Sequence, residues 1–386
     1  MPSSLLVTNI APKKASPEGN VKPDHWDDAH CSGFNNPWPS WRTTNVKDFL
    51  NLVSTMPSFP KVSKDTSKLI PIRKPTWGAV EGKANDKIIS TWLGHACFLI
   101  ELPSRSDSGA RGARILFDPV FSDRCSPSQW IGPKRFTPPP CKIEDIPEVD
   151  AIVISHNHYD HLDTHTIGVL SKRPRMPHFF APLGNGSFFK SMGIPHTHVH
   201  MMDWWDSKRI EVTAQQHKVT VDITCTPAQH FTGRSLFDRF KTLWASWVVE
   251  EVVSADAAER PAVKVFFGGD TGYRAVLDGQ DEDTLPVCPA FKEIGERFGG
   301  FDFAMIPIGA YKPRQFMSPI HCAPQDSVRL FKDIRAKRAL GMHWATWVLT
   351  SEDVFEPPRR LAEESKKIGI EDGAFGVCEI GETTFF

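Results

Sequence analysis

Between residues 155 and 163 the chain reads SHNHYDHLD, which places three histidines and two aspartates within nine positions. His156 and His158 stand two apart, so in extended backbone their imidazoles face the same way and can chelate one cation. Asp160 and His161 follow where the chain must turn, within reach of a second cation beside the first. Neutral imidazoles with one or two carboxylates suit Zn²⁺, with iron or manganese as alternatives. Three more side chains of ligand type cap β-like runs elsewhere: His230 after VTVDITCTPAQ, Asp270 after VKVFFGG and His343 after RALGM. The expected arrangement sets one metal on His156, His158 and His230 and a second on Asp160, His161 and His343. Asp270 lies between them as the bridge that a two-metal site needs.

Such ligands need rigid support. DAIVI (150–154) leads directly into the motif and reads as a buried strand whose end carries the ligand loop. From residue 85 onward, short β-rich runs alternate with turns. Residues 87–102 read as two strands broken at Gly94; 114–121 and 150–156 follow, then HFFAP, HVHMMDWW, KRIEVT, KVTVDITCTP, WASWVVE, VKVFFGGD, FDFAMIPI and RALGMHW. Helices are expected at 163–172, 183–192, 290–298, 323–337 and 357–367, the last with Pro357 and Pro358 in its first turn. Many strands and few helices sharing one core predict two packed sheets covered by helices. Residues 1–84, rich in Pro, Ser, Lys and Asn, predict a mostly irregular N-terminal arm, with the site-bearing domain over 85–386. Within the arm, Phe34, Trp38 and Trp41 of FNNPWPSW are expected to dock, and the first ~25 residues to stay loose.

Composition narrows the partners. The chain has 386 residues, 40% hydrophobic and 24% charged, as an ordinary globular enzyme does. A net charge of −1 gives no general attraction to nucleic acid, so no nucleic-acid partner is expected. Eight scattered cysteines without a C-x-x-C pair, and no secretory apolar segment near residue 1, predict free thiols and an intracellular protein, cytoplasmic or peripheral on an internal membrane. No run approaches the ~20 apolar residues of a spanning helix, so membrane contact is expected to be peripheral. HTHVH (196–200) lacks carboxylates and reads as surface or internally satisfied histidine, and His25 and His30 are expected in solvent.

H-x-H-x-D-H followed by single His, Asp and His residues at strand ends resembles the metallo-β-lactamase superfamily. Longer blocks, among them NPWPSW, TWLGHACF, SPSQWIGPKRF, IPIGAYKPRQFM, HCAPQDSVR and MHWATWVLTSED, resemble the N-acylphosphatidylethanolamine-hydrolysing phospholipase D family across residues 33–386. The resemblance implies an α/β fold, the metallo-β-lactamase αββα sandwich with an N-terminal extension, and two Zn²⁺ per chain. It also implies a phospholipid substrate cut to phosphatidic acid and an N-acylethanolamine, peripheral membrane contact and a homodimer. Asp160 and Asp270 then serve catalysis through the metals. His321 resembles a family histidine near them, placed to protonate the leaving alkoxide, and Asp163 and His95 are expected to support ligand imidazoles. Trp130, Trp344 and Trp347 are expected near an acyl channel. PLGNGSFFKSMGIP corresponds to a family element that shows apolar side chains to lipid, here Phe188, Phe189 and Met192. Thr164, Gly233 and Ile320 depart from the tyrosine, lysine and glutamine of the animal enzymes. The same ligands also serve hydrolysis of other phosphodiesters or esters, and di-iron redox chemistry.

Overall fold

Residues alternate in the central strands so as to fill two separate cores. Phe98 and Ile100, Ile115 and Phe117, Ala151 and Val153 face one core; Leu99, Leu116, Ile152 and Ile154 face the other. This is the period of two that a sheet covered on both faces requires. The computed structural model describes all residues except 1–3, 15–21, 44–49, 51–52, 55–58, 64, 66–67, 79–85, 107–108, 236 and 254–260.

The strands are β1 (Ser4–Ile10), β2 (Ile89–Trp92), β3 (Phe98–Glu101), β4 (Arg114–Phe117), β5 (Ala151–Val153), β6 (His178–Pro182), β7 (Val199–Met202) and β8 (Ser207–Ala214). They continue as β9 (His217–Thr226), β10 (Ser246–Glu251), β11 (Lys264–Phe267), β12 (Phe303–Pro307), β13 (Ala339–Met342), β14 (Phe375–Gly376) and β15 (Thr383–Phe385). A seven-stranded sheet runs β15-β2-β3-β4-β5-β6-β7 and an eight-stranded sheet runs β1-β8-β9-β10-β11-β12-β13-β14. In each, one part is antiparallel and the part that carries the crossover helices is parallel. The inner faces meet in one apolar layer, where the rings of Phe117 and Phe267 lie 4.7 Å apart across the sandwich.

Helices α1 (Thr164–Leu170) and α2 (Gly186–Ser191) cover the outer face of the seven-stranded sheet with Ile167, Leu170 and Phe189. On the other side lie α3 (Ala290–Phe298), the single turn α4 (Arg314–Met317), α5 (Pro324–Asp333) and α6 (Glu356–Lys367). Pro324 and Pro357 sit in the first turns of α5 and α6, where a missing N–H costs nothing. The molecule is therefore the expected αββα sandwich.

Three expectations need correcting. The first residues are not all loose: β1 pairs antiparallel with β8 along its whole length, from Ser4↔Thr213 to Ile10↔Ser207. Leu5 and Val7 rest on the core while Leu6 points outward. His25 is buried, stacked on Trp204 at 4.2 Å and bonded through Nε2 to Asp203 at 2.7 Å. The aromatic side chains of α2 do not form a free apolar face, because Phe189 is buried beside Phe179 and Phe188 lies under the Arg234 guanidinium. Phe34 is buried as expected, Trp38 stacks on Trp204, and Trp41 meets Phe240 edge-on.

Candidate metal centre and catalytic cavity

All seven expected ligands converge at one edge of the sandwich. His156, His158, Asp160 and His161 lie on the turn after β5; His230, Asp270 and His343 follow β9, β11 and β13 of the other sheet. His156 Nε2 lies 2.8 Å and His230 Nε2 3.4 Å from His158 Nδ1. His343 Nε2 and His161 Nε2 lie 3.6 and 3.5 Å from Asp160 Oδ2. Asp270 stands between the two groups. Its Oδ2 is 3.8 Å from both His156 and His230 and 3.2 Å from His161, and its Oδ1 is 3.1 Å from His343.

Glycine lets Asp270 go this deep. A Cβ at Gly269, whose φ is +56°, would meet Ser155 Cβ at 2.6 Å, and one at Gly272 would meet the Pro319 carbonyl at 2.1 Å. Strain gathers at the same place: His95, Asp118 and His343 hold positive φ of 51°, 38° and 65° without being glycine.

The donor set fits divalent cations. His161 Nε2, His343 Nε2 and Asp270 Oδ1 are buried and aimed at the centre with no hydrogen-bond partner there. Burial, with neighbouring imidazoles, draws His156 and His230 well below the usual histidine range and His158 down to about 4, so these rings offer lone pairs. Burial alone would raise Asp160 and Asp270, but His161 and the adjoining histidines outweigh it and hold both well below the carboxylate range. In turn, and against their own burial, Asp270 and Asp160 lift His161 well above its usual value and His343 to about 9. Two carboxylates thus hold positive charge among buried rings. Imidazoles and anionic oxygens grouped as His156–His158–His230 and as Asp160–His161–His343, the latter joined by His95, are a donor set for zinc-like ions.

Outer contacts aim these ligands. His161 Nδ1 bonds Asp118 Oδ2 at 2.7 Å, and His230 Nδ1 donates to the Ile320 carbonyl at 2.8 Å. His95 Nε2 bonds the Asp160 carboxylate at 2.9 Å, so it supports a ligand carboxylate where a ligand imidazole was expected. Asp163 has a different role: it caps α1 and accepts from Phe121 N, Ser122 N, Ser122 Oγ and Thr166 Oγ1, touching no ligand imidazole. Sequence reasoning missed Asp118, whose one signal is its place at the end of β4, parallel and adjacent to the ligand strand. It also missed Arg234, which donates to the carbonyls of Asn157 and Leu162 and lies 3.9 Å over Tyr159, so it braces the ligand turn from behind.

The centre floors a cavity of about 300 Å³ walled by Phe59, Phe231, Phe316, Met317, Ile320 and Leu349. His321 also lines it, with Nε2 3.8 Å from Asp270 Oδ2 and a buried Nδ1 without a hydrogen-bond partner. Of the departing positions, Ile320 faces the cavity, while Thr164 receives Arg234 and Gly233 N donates to Asn157 Oδ1. Trp347 packs on His95 at 4.8 Å and Trp344 stacks on Trp92, but Trp130 is 90% exposed and stands outside the lining of this cavity.

Residues 113–344 match the family model described as Beta-lactamase superfamily domain. N-acyl-phosphatidylethanolamine-hydrolyzing phospholipase D 1 of Caenorhabditis elegans is 33% identical over 344 residues, 88% of this chain and 86% of the relative. The chain belongs to that phospholipase D family. A second relative, the mitochondrial N-acyl-phosphatidylethanolamine-hydrolyzing phospholipase D of Saccharomyces cerevisiae, is 31% identical across 92% of this chain and 75% of its own length. An isothiocyanate hydrolase from Delia radicum gut bacteria shares the fold, with a TM-score of 0.51 at 17% identity over 77% of this chain and 99% of that one. Family, fold and donor set together make this member a metallo-β-lactamase-fold hydrolase with a divalent-metal centre. All eight cysteines are free, and no helix among the described residues is long and apolar enough to cross a membrane.

Proposed function

We propose that this protein is a dizinc phosphodiesterase that hydrolyses N-acylphosphatidylethanolamine to an N-acylethanolamine and phosphatidic acid. The observation that carries the reading is Asp270, seated between two three-ligand groups at the floor of an apolar-walled cavity. His156, His158 and His230 would hold one ion, Asp160, His161 and His343 the other, with Asp270 shared. Bound there, two divalent ions supply Lewis acidity to the phosphoryl oxygens and hydroxide near neutral pH.

The protein's own groups do the rest. Phe231, Phe316, Met317, Ile320 and Leu349 take acyl chain against them and keep bulk water from the polar floor. His321 faces the same space. Burial draws it to about 4, so its imidazole starts neutral; a proton taken up from solvent as the anionic phosphodiester binds beside it is passed to the leaving alkoxide oxygen as the P–O bond breaks. Arg234 and Asp118 keep the ligand turn in register while this happens. Peripheral membrane contact and a homodimer complete the proposal.

Hydrolysis in ¹⁸O-water tests it. Label is expected in phosphatidic acid and absent from the ethanolamide, and label in the alcohol product would place attack at carbon and refute the reading. Elemental analysis of the active protein is expected to find two zinc ions per chain, and Asp160→Asn to empty the second position preferentially. Iron in their place would favour redox chemistry.

A further inference from the structure

Two loops stand either side of the ligand turn, each ending in exposed apolar side chains. Loop 122–136 is rooted at the metal centre: Trp347, packed on His95, donates through Nε1 to the Asp123 carbonyl at 3.2 Å and lies 4.9 Å under the Arg135 guanidinium. Its tip carries Trp130, 90% exposed, and Ile131, 69% exposed. Loop 231–241 is rooted on the other side, where Phe231 packs on His158 at 4.7 Å and the Arg234 carbonyl accepts from Tyr159. Phe237 near its tip is 91% exposed.

Hydrogen bonds among the described residues of each loop hold the chain beside these rings. Trp130 N donates to Ser128 Oγ at 3.1 Å, and Arg124 N to Gln129 Oε1 at 3.0 Å, with a strand bridge between Arg124 and Lys134. Asp238 accepts from Arg234 N and Ser235 N, and Phe237 N donates to Ser235 Oγ. The fold thus holds large apolar groups in water, an arrangement that marks an interaction surface. Charge selects the partner. With Arg135 buried on Trp347 and Arg234 turned inward to the ligand turn, loop 122–136 still sets Arg124 and Lys134 against Asp123, and loop 231–241 sets Arg239 and Lys241 against Asp238. Aromatic tips flanked by a cationic excess match a lipid surface, with rings at the acyl boundary and cations at the phosphate level. A second copy of the chain fits less well, since a two-fold contact would oppose like charges and needs a broad self-complementary face of roughly 800 Å² per partner.

We infer that Trp130, Ile131 and Phe237 form a two-point anchor that seats the cavity mouth on a phospholipid bilayer. The inference rests on the lipid-substrate reading but replaces α2, whose aromatics face inward, as the membrane-facing element. The test uses the metal-loaded full chain and the double variant Trp130→Ser/Phe237→Ser on phosphatidylcholine vesicles containing phosphatidic acid, read by flotation. Removing two large apolar anchors is expected to cut vesicle partitioning about tenfold or more. Hydrolysis of the soluble bis(4-nitrophenyl) phosphate and the light-scattering mass should stay at wild-type values. Equal partitioning of variant and wild type, no partitioning by the wild type, or a fall in mass showing that the tips join two chains would each overturn it. Flotation needs no turnover, so failure to cleave N-acylphosphatidylethanolamine would sink the functional reading while leaving the anchor measurable.

Discussion

Replacing Asp118 with Asn isolates the aim of a ligand from its identity. Asp118 is fully buried, and its carboxylate accepts from His161 Nδ1 at 2.7 Å, from Ser155 N at 2.7 Å and from Ser155 Oγ. An amide has one acceptor oxygen, so it cannot serve both the Ser155 N–H, held by Oδ1, and the His161 and Ser155 Oγ pair, held by Oδ2. Leaving His161 without its anionic partner frees the ring to turn and lowers its basicity toward a cation. Such outer partners typically govern about 10–100-fold of metal affinity, or roughly 1.4–2.7 kcal/mol. The assay is a competition titration with a chromophoric zinc chelator, beside thermal unfolding of the chelator-stripped protein. The expected result is a 10–100-fold loss confined to the ion on Asp160, His161 and His343. Equal weakening of both ions in step with a lowered unfolding temperature would reduce Asp118 to scaffolding, and unchanged affinities would refute the argument.

Three further outcomes are expected. His321→Ala should lose about 10²-fold on an ethanolamide leaving group and far less on a nitrophenyl diester, whose phenolate departs without a proton; equal losses would make His321 a positioning residue. Phe34→Ala should lower unfolding free energy by about 3 kcal/mol or more if the N-terminal aromatics belong to the cooperative core, and chemical denaturation showing a loss under about 1 kcal/mol would place them outside it. Burial, helped by His198 and Arg175 beside His178 and by His178 and Lys208 beside His200, draws His178 to about 4 and His200 to about 3, so below pH 6.5 the unfolded chain takes protons that the folded pair refuses. Stability should therefore fall as pH drops from 6.5 towards 4, and His178→Gln/His200→Gln should flatten that slope in denaturant midpoints; an unchanged slope would reject the cause.

Ligand identity was legible because ligand types are rare at strand ends: His230, Asp270 and His343 each close an apolar run, and SHNHYDHLD is too dense in donors to be an ordinary turn. The supports were less visible. Asp118 looks like any acidic residue leaving a strand, and only the parallel pairing of β4 with β5 sets it beneath His161. β1 was hidden because its alternation is short and its burial depends on the edge of β8, a partner two hundred residues away in sequence. His25 is buried by Trp204, and Phe188 and Phe189 turn inward, for the same reason: a tertiary neighbour decides the exposure of a residue whose local sequence permits either state.

Four of the ligands belong to the turn after β5 and three to the ends of β9, β11 and β13, so the centre joins the two sheets. Synthesis reaches these parts at different times. When His156 to His161 leave the ribosome, His343 is still unmade, and the nascent chain carries half of a chelate with coordination to spare. A complete donor set exists only after the second sheet has closed on the first, which makes tight metal capture a late step in maturation. An ion that stays bound therefore certifies that both layers are in place, and a metal-starved cell would be expected to leave finished polypeptide that lacks this tie between its two sheets.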